Sequence, residues 1–173
     1  MRYSIAILML ICAMVIPAFC QKDQEPEPDS WQARELKACG AKDKEVNYAA
    51  DTDETKHPTG EPTAGKALIY ILRPSRMKSG VQTKLAVDGE WKGVNRGRNY
   101  FFFTLEPGLH YFCSQAKNRS VLVLTVEADK TYYIEQEMRF SMRKPRNDLA
   151  VIGDADAKTY LANSYPSTWT VVP

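Results

Sequence analysis

The chain has 173 residues, of which 44% are hydrophobic and 25% are charged, and its formal net charge is +2. This length predicts one globular domain with a sizeable core. The near-neutral balance lacks the concentrated basic excess of a dedicated nucleic-acid binder, so no nucleic-acid partner is expected.

The segment 1–20 has the composition of a secretory signal peptide. Arg2 is its only charged residue, and 5–16 is almost purely apolar. This run is too short to span a bilayer, which needs about 20 residues, and no other stretch is long and apolar enough to do so. Ala18 and Cys20 place small residues at the two specificity positions of a signal-peptidase site. We therefore expect export to the periplasm or the extracellular space.

Cleavage is expected before Gln21 and would remove Arg2, Cys12 and Cys20. Without Arg2 the mature chain has 22 basic and 21 acidic side chains, a formal charge of +1, and this balance selects no partner by charge. The alternative is that Cys20 becomes the lipidated first residue of a lipoprotein anchored to the membrane. Phe19 opposes this alternative, because lipoprotein processing requires a small residue immediately before the cysteine.

The mature chain begins with a polar, acidic, proline-bearing stretch over 21–30, which predicts a disordered tether. One domain is then expected over 31–173. Its first element is a short helix over 31–37, capped by Ser30 and ending at Cys39. The segment before the main strands is completed by a weak strand over 45–49 and a loop over 51–65.

The core of the domain is expected within 66–152, where apolar runs recur at short spacing between turn residues. Strands are predicted over 67–72, 81–87, 90–94, 99–104, 109–115, 121–126, 131–142 and 149–152. Asp88 and Gly89 supply the two positive-φ positions of a tight hairpin turn. A short helix capped by Asp154 or Asp156 follows the last strand. The pattern predicts a mainly β fold: a single antiparallel β-sandwich built from hairpins, with short helical pieces at its N- and C-termini.

Several short stretches between Cys39 and about Pro166 follow one another in a characteristic order. They are 66–70 (KALIY), 87–93 (VDGEWKG), Asn95, 100–101, Pro107, Gly108, His110, Cys113, 125–128 (TVEA), 130–133 (KTYY), 160–161 and 164–166. In this order they resemble the family known as domain of unknown function 2846, in particular its exported bacterial versions. The resemblance implies a compact β-sandwich of the immunoglobulin or prealbumin kind and no established activity.

Two cysteines, Cys39 and Cys113, remain after the predicted cleavage. Two thiols in a small domain of an oxidising compartment favour a disulfide. Closing a loop of roughly 75 residues would stabilise the fold by about 4 kcal/mol on the chain-entropy model. The alternatives are a metal ligand and a free or intermolecular thiol.

A metal site would gather His110, Cys113 and Cys39, with His57 as a further ligand. His110 and Cys113 are three residues apart, so they face opposite sides of a strand, and this geometry is poor for a shared site. The histidines that similar family members carry near the positions of Arg96 and Leu109 are also absent here. A second alternative is a hydrolase that uses His110 with nearby carboxylates, although the sequence contains no recognisable nucleophile motif.

Aromatic and basic side chains indicate a possible ligand or partner surface, formed by Trp91, Arg96, Arg98, Tyr100 and Phe102. The run 100–103 must place two rings on each face of a sheet, so one pair is available as a stacking platform unless other segments cover it. Basic residues in loops also suggest a surface for an anionic envelope polymer, with a solvated loop as the simpler alternative. They are Arg73, Arg76, Lys78, Lys92, Arg96 and Arg98.

The sequence therefore predicts a non-catalytic, exported β-sandwich that acts as a binding or structural module of the bacterial cell envelope. Its expected partner is an envelope polysaccharide or an envelope protein, and no cofactor or catalytic residue is expected. Membrane attachment is expected only if Cys20 is lipidated. The alternative is a metal-binding protein or hydrolase centred on His110.

Overall fold

The computed structural model describes residues 29–76, 80–139 and 146–173, without the side chain of residue 43. The predicted signal peptide, residues 21–28 of the predicted tether, Lys78 and the end of the predicted 131–142 strand lie outside the described residues. The helices are α1 (Trp31–Cys39), a short 3-10 helix (Lys42–Lys44) and α2 (Asp154–Ala162). The strands are β1 (Asn47–Thr52), β2 (Ala67–Arg73), β3 (Thr83–Val87), β4 (Glu90–Asn95), β5 (Asn99–Leu105), β6 (Gly108–Gln115), β7 (Arg119–Val126), β8 (Thr131–Arg139), β9 (Arg146–Ile152) and β10 (Tyr165–Val172).

The strands form two sheets, which confirms the predicted β-sandwich. The larger sheet has the order β1-β10-β5-β2-β8-β9, and the smaller has the order β4-β3-β6-β7. Most neighbouring strands are antiparallel, but β2 pairs with β8 in parallel and β10 pairs with β5 in parallel. The parallel pairs arise because the chain crosses between the sheets after β2, β4, β5 and β7, so only some consecutive strands form hairpins.

The main hydrophobic core lies between the two sheets and takes residues from β2, β3, β5, β6, β7, β8 and β9. Every residue of β2 is buried; the apolar run 67–72 predicts this for a central strand, and the burial extends to Arg73. The core residues are Ala67, Ile69, Ile71, Leu85, Val87, Phe101, Phe112, Val126, Ile134 and Leu149. The hairpin between β3 and β4 turns at Asp88 (φ 52°) and Gly89 (φ 83°), as predicted.

Strand β10 was not predicted, because its sequence begins with Tyr165 and Pro166 and is rich in serine and threonine rather than apolar residues. It joins the two sheets along one side of the sandwich. The Oγ atom of Ser167 donates a hydrogen bond to the carbonyl of Val94 in the other sheet (2.6 Å). The ring of Trp169 packs so closely on Gly93 that a Cβ atom at this glycine would lie 2.6 Å from the ring.

The first helix agrees with its prediction. The Ser30 side chain accepts a hydrogen bond from the Ala33 amide (3.2 Å) at the N-terminus of α1, and Gly40 follows its last residue with φ 70°. The predicted cap of α2 is wrong: Gly153 occupies the N-cap position and makes no side-chain hydrogen bond. Asp154 and Asp156 lie inside the first turn of α2, where their negative charges interact favourably with the positive end of the helix dipole.

Candidate functional site

The five residues predicted as one ligand surface do not lie together. Trp91 in β4 packs half-buried against the disulfide on the small sheet, with the Lys84 ammonium 5.1 Å from its ring. Tyr100 and Phe102 lie on the outer face of the large sheet, where Tyr100 is only 2% exposed. The single aromatic and basic surface that the sequence suggested is therefore wrong.

The basic loop residues are also dispersed. Arg73 is fully buried, donates a hydrogen bond to the Asn95 carbonyl (3.4 Å), and burial lowers its pKa to about 10. Arg76 and Arg98 line one open cavity of about 440 Å³, and Arg98 also donates to the Asn163 carbonyl (2.8 Å). Arg96 and Lys92 are not among the residues that line this cavity. The expected basic surface at one end of the sandwich thus reduces to two arginines within the described residues.

The outer aromatic rings are covered by the loop that joins β1 to β2. Tyr70 contacts the rings of Phe102 and Tyr133, with centroid distances of 5.2 and 5.3 Å. Its hydroxyl accepts a hydrogen bond from the Gly60 amide (2.6 Å), and the Tyr100 hydroxyl donates to the Pro58 carbonyl (2.9 Å). These bonds hold the loop over the rings, and Tyr70 and Tyr100 are almost fully buried beneath it.

The predicted disulfide between Cys39 and Cys113 is confirmed. Both cysteines are fully buried, and their Cα atoms are 5.1 Å apart. The bond joins the end of α1 to β6, in the middle of the small sheet. A buried structural disulfide indicates an oxidising, non-cytoplasmic compartment. Within the described residues, no helix has the length and apolarity needed to cross a membrane.

The two ring nitrogens of His110 both have hydrogen-bond partners. Nδ1 lies 2.6 Å from Asp88 Oδ2, and Nε2 lies 2.8 Å from the carbonyl oxygen of Glu106. Because a carbonyl can only accept, Nε2 is the donor in the second bond. Asp88 also accepts a hydrogen bond from the Tyr111 amide (2.9 Å), so this group ties two neighbouring turns together. In the described part of the chain, no three metal-ligating side chains converge on one point.

A larger polar cavity, of about 540 Å³, lies where the start of α1 meets strands β7 and β9. We call it the Trp31 cavity. Its lining residues are Trp31, Asn118, Arg119, Ser120, Val121, Arg139, Arg146, Asn147 and Asp148. Trp31 is 48% exposed, whereas tryptophan side chains are on average highly buried.

The floor of the Trp31 cavity is held by side-chain hydrogen bonds that join β7 and the turn before it to β9 of the other sheet. Asn118 accepts from the Asn147 amide (2.8 Å) and donates to the Asn147 carbonyl (2.9 Å). Ser120 donates to Asp148 (2.7 Å) and accepts from the Leu149 amide (3.2 Å). Asn147 is 2% exposed, and its Oδ1 accepts no hydrogen bond from the described residues. The floor is therefore rigid and retains one unused acceptor.

The arginines on the wall of the cavity differ in their ion pairs. Arg119 contacts the carboxylates of Glu35 (3.0 Å) and Glu45 (3.7 Å). Arg139 contacts those of Glu137 (2.9 Å) and Asp148 (3.7 Å). Arg146, the first residue of β9, is exposed, and no acidic side chain within the described residues forms an ion pair with it.

Sequence reasoning missed this site, because its residues come from four separate segments. The sequence places Trp31 in a predicted helix and Arg139 in the predicted 131–142 strand, and it gives neither residue a binding role. One signal was available: the positions that share a helix face with Trp31 are Arg34 and Glu35, so its ring is not part of an apolar stripe. A tryptophan without apolar helical neighbours indicates a surface role rather than a core position.

Comparison with known proteins gives one match. The family model described as "Protein of unknown function (DUF2846)" matches residues 63–150, just over half of the chain. The matched region runs from the loop before β2 into β9, so it includes most of the Trp31 cavity but not Trp31 itself. No curated protein and no solved structure matches the chain significantly.

Proposed function

Since the chain belongs to the DUF2846 family, whose description assigns no activity, we propose a function from the surface of this member. The protein is a non-catalytic binding module of the bacterial cell envelope, and it binds an envelope polysaccharide in the Trp31 cavity. The observation that carries this proposal is the half-exposed indole of Trp31 on the wall of a polar cavity.

The chemistry of the lining suits a sugar ring. A sugar presents an apolar C–H face and a rim of hydroxyl groups, and an indole offers a flat apolar surface with a polar N–H at its edge. The floor beneath Trp31 is formed by the polar residues Asn118, Ser120 and Asn147 rather than by apolar side chains. Pockets that combine an aromatic wall with a few placed polar groups are the usual form of a small-ligand site.

The preorganisation of the floor also supports binding. Asn118 and Asn147 hold each other through four hydrogen bonds, and Ser120 is fixed between Asp148 and Leu149. A ligand that enters therefore does not have to order these groups, which reduces the entropic cost of binding.

The titratable groups favour a binding role over hydrolysis. Asp148 is the one carboxylate among the described lining residues, and it is already bonded to Ser120 and close to Arg139. A glycoside hydrolase of the usual kind needs two carboxylates that flank the scissile bond. His110, the centre of the alternative hydrolase or metal-binding hypothesis, has both ring nitrogens engaged by Asp88 and Glu106.

The location in the envelope rests on two supports. The buried disulfide between Cys39 and Cys113 indicates an oxidising compartment. The composition of residues 1–20 predicts export. Together they favour the periplasm or the extracellular space over the cytoplasm. Envelope polysaccharides are accessible in those two compartments.

The proposal is tested by binding to purified peptidoglycan fragments, lipopolysaccharide O-chains and exopolysaccharides, measured by calorimetry with the mature chain. Trp31→Ala should weaken binding by at least about 10-fold, because it removes the stacking surface. Leu36→Ala is the matched control, since Leu36 is a similarly exposed residue of the same helix outside the cavity. If the Trp31→Ala variant bound as tightly as wild type, the Trp31 cavity would not be the polysaccharide site. Release of shortened glycans during the titration would instead favour the hydrolase.

A further inference from the structure

We infer that the protein forms a symmetric dimer in which strand β1 of one copy pairs antiparallel with β1 of a second copy. The two large sheets then form one continuous sheet, with Ala49 of each copy at the two-fold axis. This inference does not depend on the proposed function. Strand β1 lies at the opposite edge of the large sheet from β9, so the dimer leaves the Trp31 cavity of each copy free.

The backbone of β1 is paired along one side. Its six residues, Asn47–Thr52, pair with β10, and the other side of β1 is an edge of the large sheet. Alternate amide and carbonyl groups of an edge strand point away from its sheet, where they can pair with another extended strand. Among the described residues, no side chain of the small sheet bonds to a backbone group of Asn47–Thr52.

The other three edge strands differ in this respect. Strands β7 and β9 are joined by side-chain hydrogen bonds, such as the one from the Leu149 amide to the Ser120 hydroxyl (3.2 Å). On β4, the Val94 carbonyl accepts a hydrogen bond from Ser167 (2.6 Å). A further strand at these edges competes with bonds to the opposite sheet. The edge of β1 is therefore the most available to a second copy.

The sequence of β1 is complementary to itself. Opposite residues of an antiparallel pair share a face, so the exposed residues Asn47, Ala49 and Asp51 must lie opposite one another. A pair centred on Ala49 places Asn47 opposite Asp51 of the second copy, and the side-chain amide can donate a hydrogen bond to the carboxylate. On the other face, Tyr48 lies opposite Ala50 of the second copy, so a large ring meets a small side chain.

Charges at the two ends of β1 select this register. Lys44 precedes β1 and Glu54 follows it; both are exposed, and neither forms an ion pair within the described residues. The pair centred on Ala49 aligns Lys44 of each copy with Glu54 of the other. A pair centred on Ala50 aligns Lys44 with Lys56, which is another cation. Exposed ion pairs add little affinity, so they set the register while the backbone hydrogen bonds hold the dimer.

The experiment measures the oligomeric state of the mature chain by sedimentation velocity from about 1 to about 500 µM, the range for a small interface. Ala49→Lys should weaken the dimer at least about 10-fold, because it places two like charges opposite each other at the two-fold axis. Thr170→Lys is the matched control, since Thr170 is exposed opposite Ala49 but lies on β10. It should leave the dimer unchanged. Both variants should melt with wild type, because both sites are exposed.

Charge reversal tests the register. Lys44→Glu and Glu54→Lys should each weaken the dimer about 3-fold, and the double variant should restore it because both ion pairs are rebuilt with reversed charges. Failure of the double variant to restore the dimer would overturn the register centred on Ala49. A chain that stays monomeric at the highest concentration would overturn the dimer itself. A dimer that Ala49→Lys leaves intact would show that the copies meet at another surface.

Discussion

The two outer faces of the sandwich are covered in different ways. On the small sheet, α1 contacts a small apolar cluster that contains Ala38, Ala86 and the disulfide between Cys39 and Cys113. On the large sheet, a loop and α2 cover a cluster of large rings. That cluster consists of Leu68, Tyr70, Leu72 and Tyr100, with Phe102, Tyr133, Ile152, Tyr160 and Leu161 packed against it.

The comparison shows that a disulfide can hold a helix that buries little apolar area. The nine residues of α1 are too few for a stable isolated helix, and its buried residues are only Ala33, Ala38 and Cys39. Burial of alanines contributes little, because hydrophobic stabilisation scales with apolar area. The aromatic cluster on the large sheet buries far more area and needs no crosslink. Since Trp31 begins α1, the disulfide at the other end of the helix also positions the wall of the proposed site.

The largest expected effect comes from removing the crosslink. Replacing both Cys39 and Cys113 with serine should lower the free energy of unfolding by about 4 kcal/mol, because the bond closes a loop with a sequence separation of 74 residues. Urea unfolding measures this loss, and hydrogen exchange should show rapid exchange in α1 while the sheets stay protected. Unchanged protection of α1 in the double variant would mean that packing alone holds the helix.

On the other face, the loss of one ring should be nearly as costly. Tyr70→Ala removes the ring that contacts Phe102 and Tyr133 and leaves a cavity in the cluster, so we expect a loss of about 3 kcal/mol. Tyr70→Phe is the matched control, since it keeps the ring and removes only the hydroxyl. Urea unfolding of both variants separates ring packing from hydrogen bonding. Equal losses in the two variants would show that the covering loop, rather than the rings, stabilises this face.

A smaller effect is expected where the loop is tied to the rings. Tyr100→Phe removes the hydrogen bond to the Pro58 carbonyl, which should cost about 1 kcal/mol. Limited proteolysis should then cut the loop between β1 and β2 faster, without a change in α1. A variant that resists proteolysis as well as wild type would show that other contacts hold the loop.

The smallest expected effects are pH-dependent changes in stability, and a glutamate on each face changes the stability in the opposite direction. Beside α1, burial raises the pKa of Glu45, but hydrogen bonds from Lys84 and Gln115 outweigh it and hold the pKa below the usual 4.5. The charged form of Glu45 thus stabilises the fold above pH 4.5, and this contribution is lost as the pH falls through the lowered pKa. Beneath α2, burial and the nearby Glu137 raise the pKa of Glu135. Its charged form therefore opposes folding at neutral pH.

Glutamine variants test whether the charge of Glu45 stabilises the fold and that of Glu135 destabilises it. At pH 7, Glu45→Gln should lower the melting temperature and Glu135→Gln should raise it, each corresponding to less than about 1 kcal/mol because both sites are partly exposed. The gain from Glu135→Gln should vanish below pH 4.5, where the wild-type carboxyl is protonated. The loss from Glu45→Gln should shrink only at lower pH. Shifts of the same sign in both variants would contradict the assignment.

Much of the fold was predictable because its signals are local. The uninterrupted apolar run of β2, the turn at Asp88 and Gly89, and the cap of α1 at Ser30 each depend on residues a few positions apart. The disulfide was predictable for another reason: two cysteines in the predicted mature chain leave one pairing. The predicted surface residues were not expected to separate, but Trp91 lies on the small sheet, and Tyr100 and Phe102 lie on the large one.

The sequence alone indicated most of the strands and where most of them turn, and it favoured the pairing of Cys39 with Cys113. Only the tertiary structure decided the parallel pairs, the place of β10 and the contents of the Trp31 cavity. The physical reason is the distance along the chain over which each effect acts. Alternation and turn chemistry act between near neighbours, whereas strand order and the meeting of Trp31 with Arg139 and Arg146 depend on how two whole sheets pack.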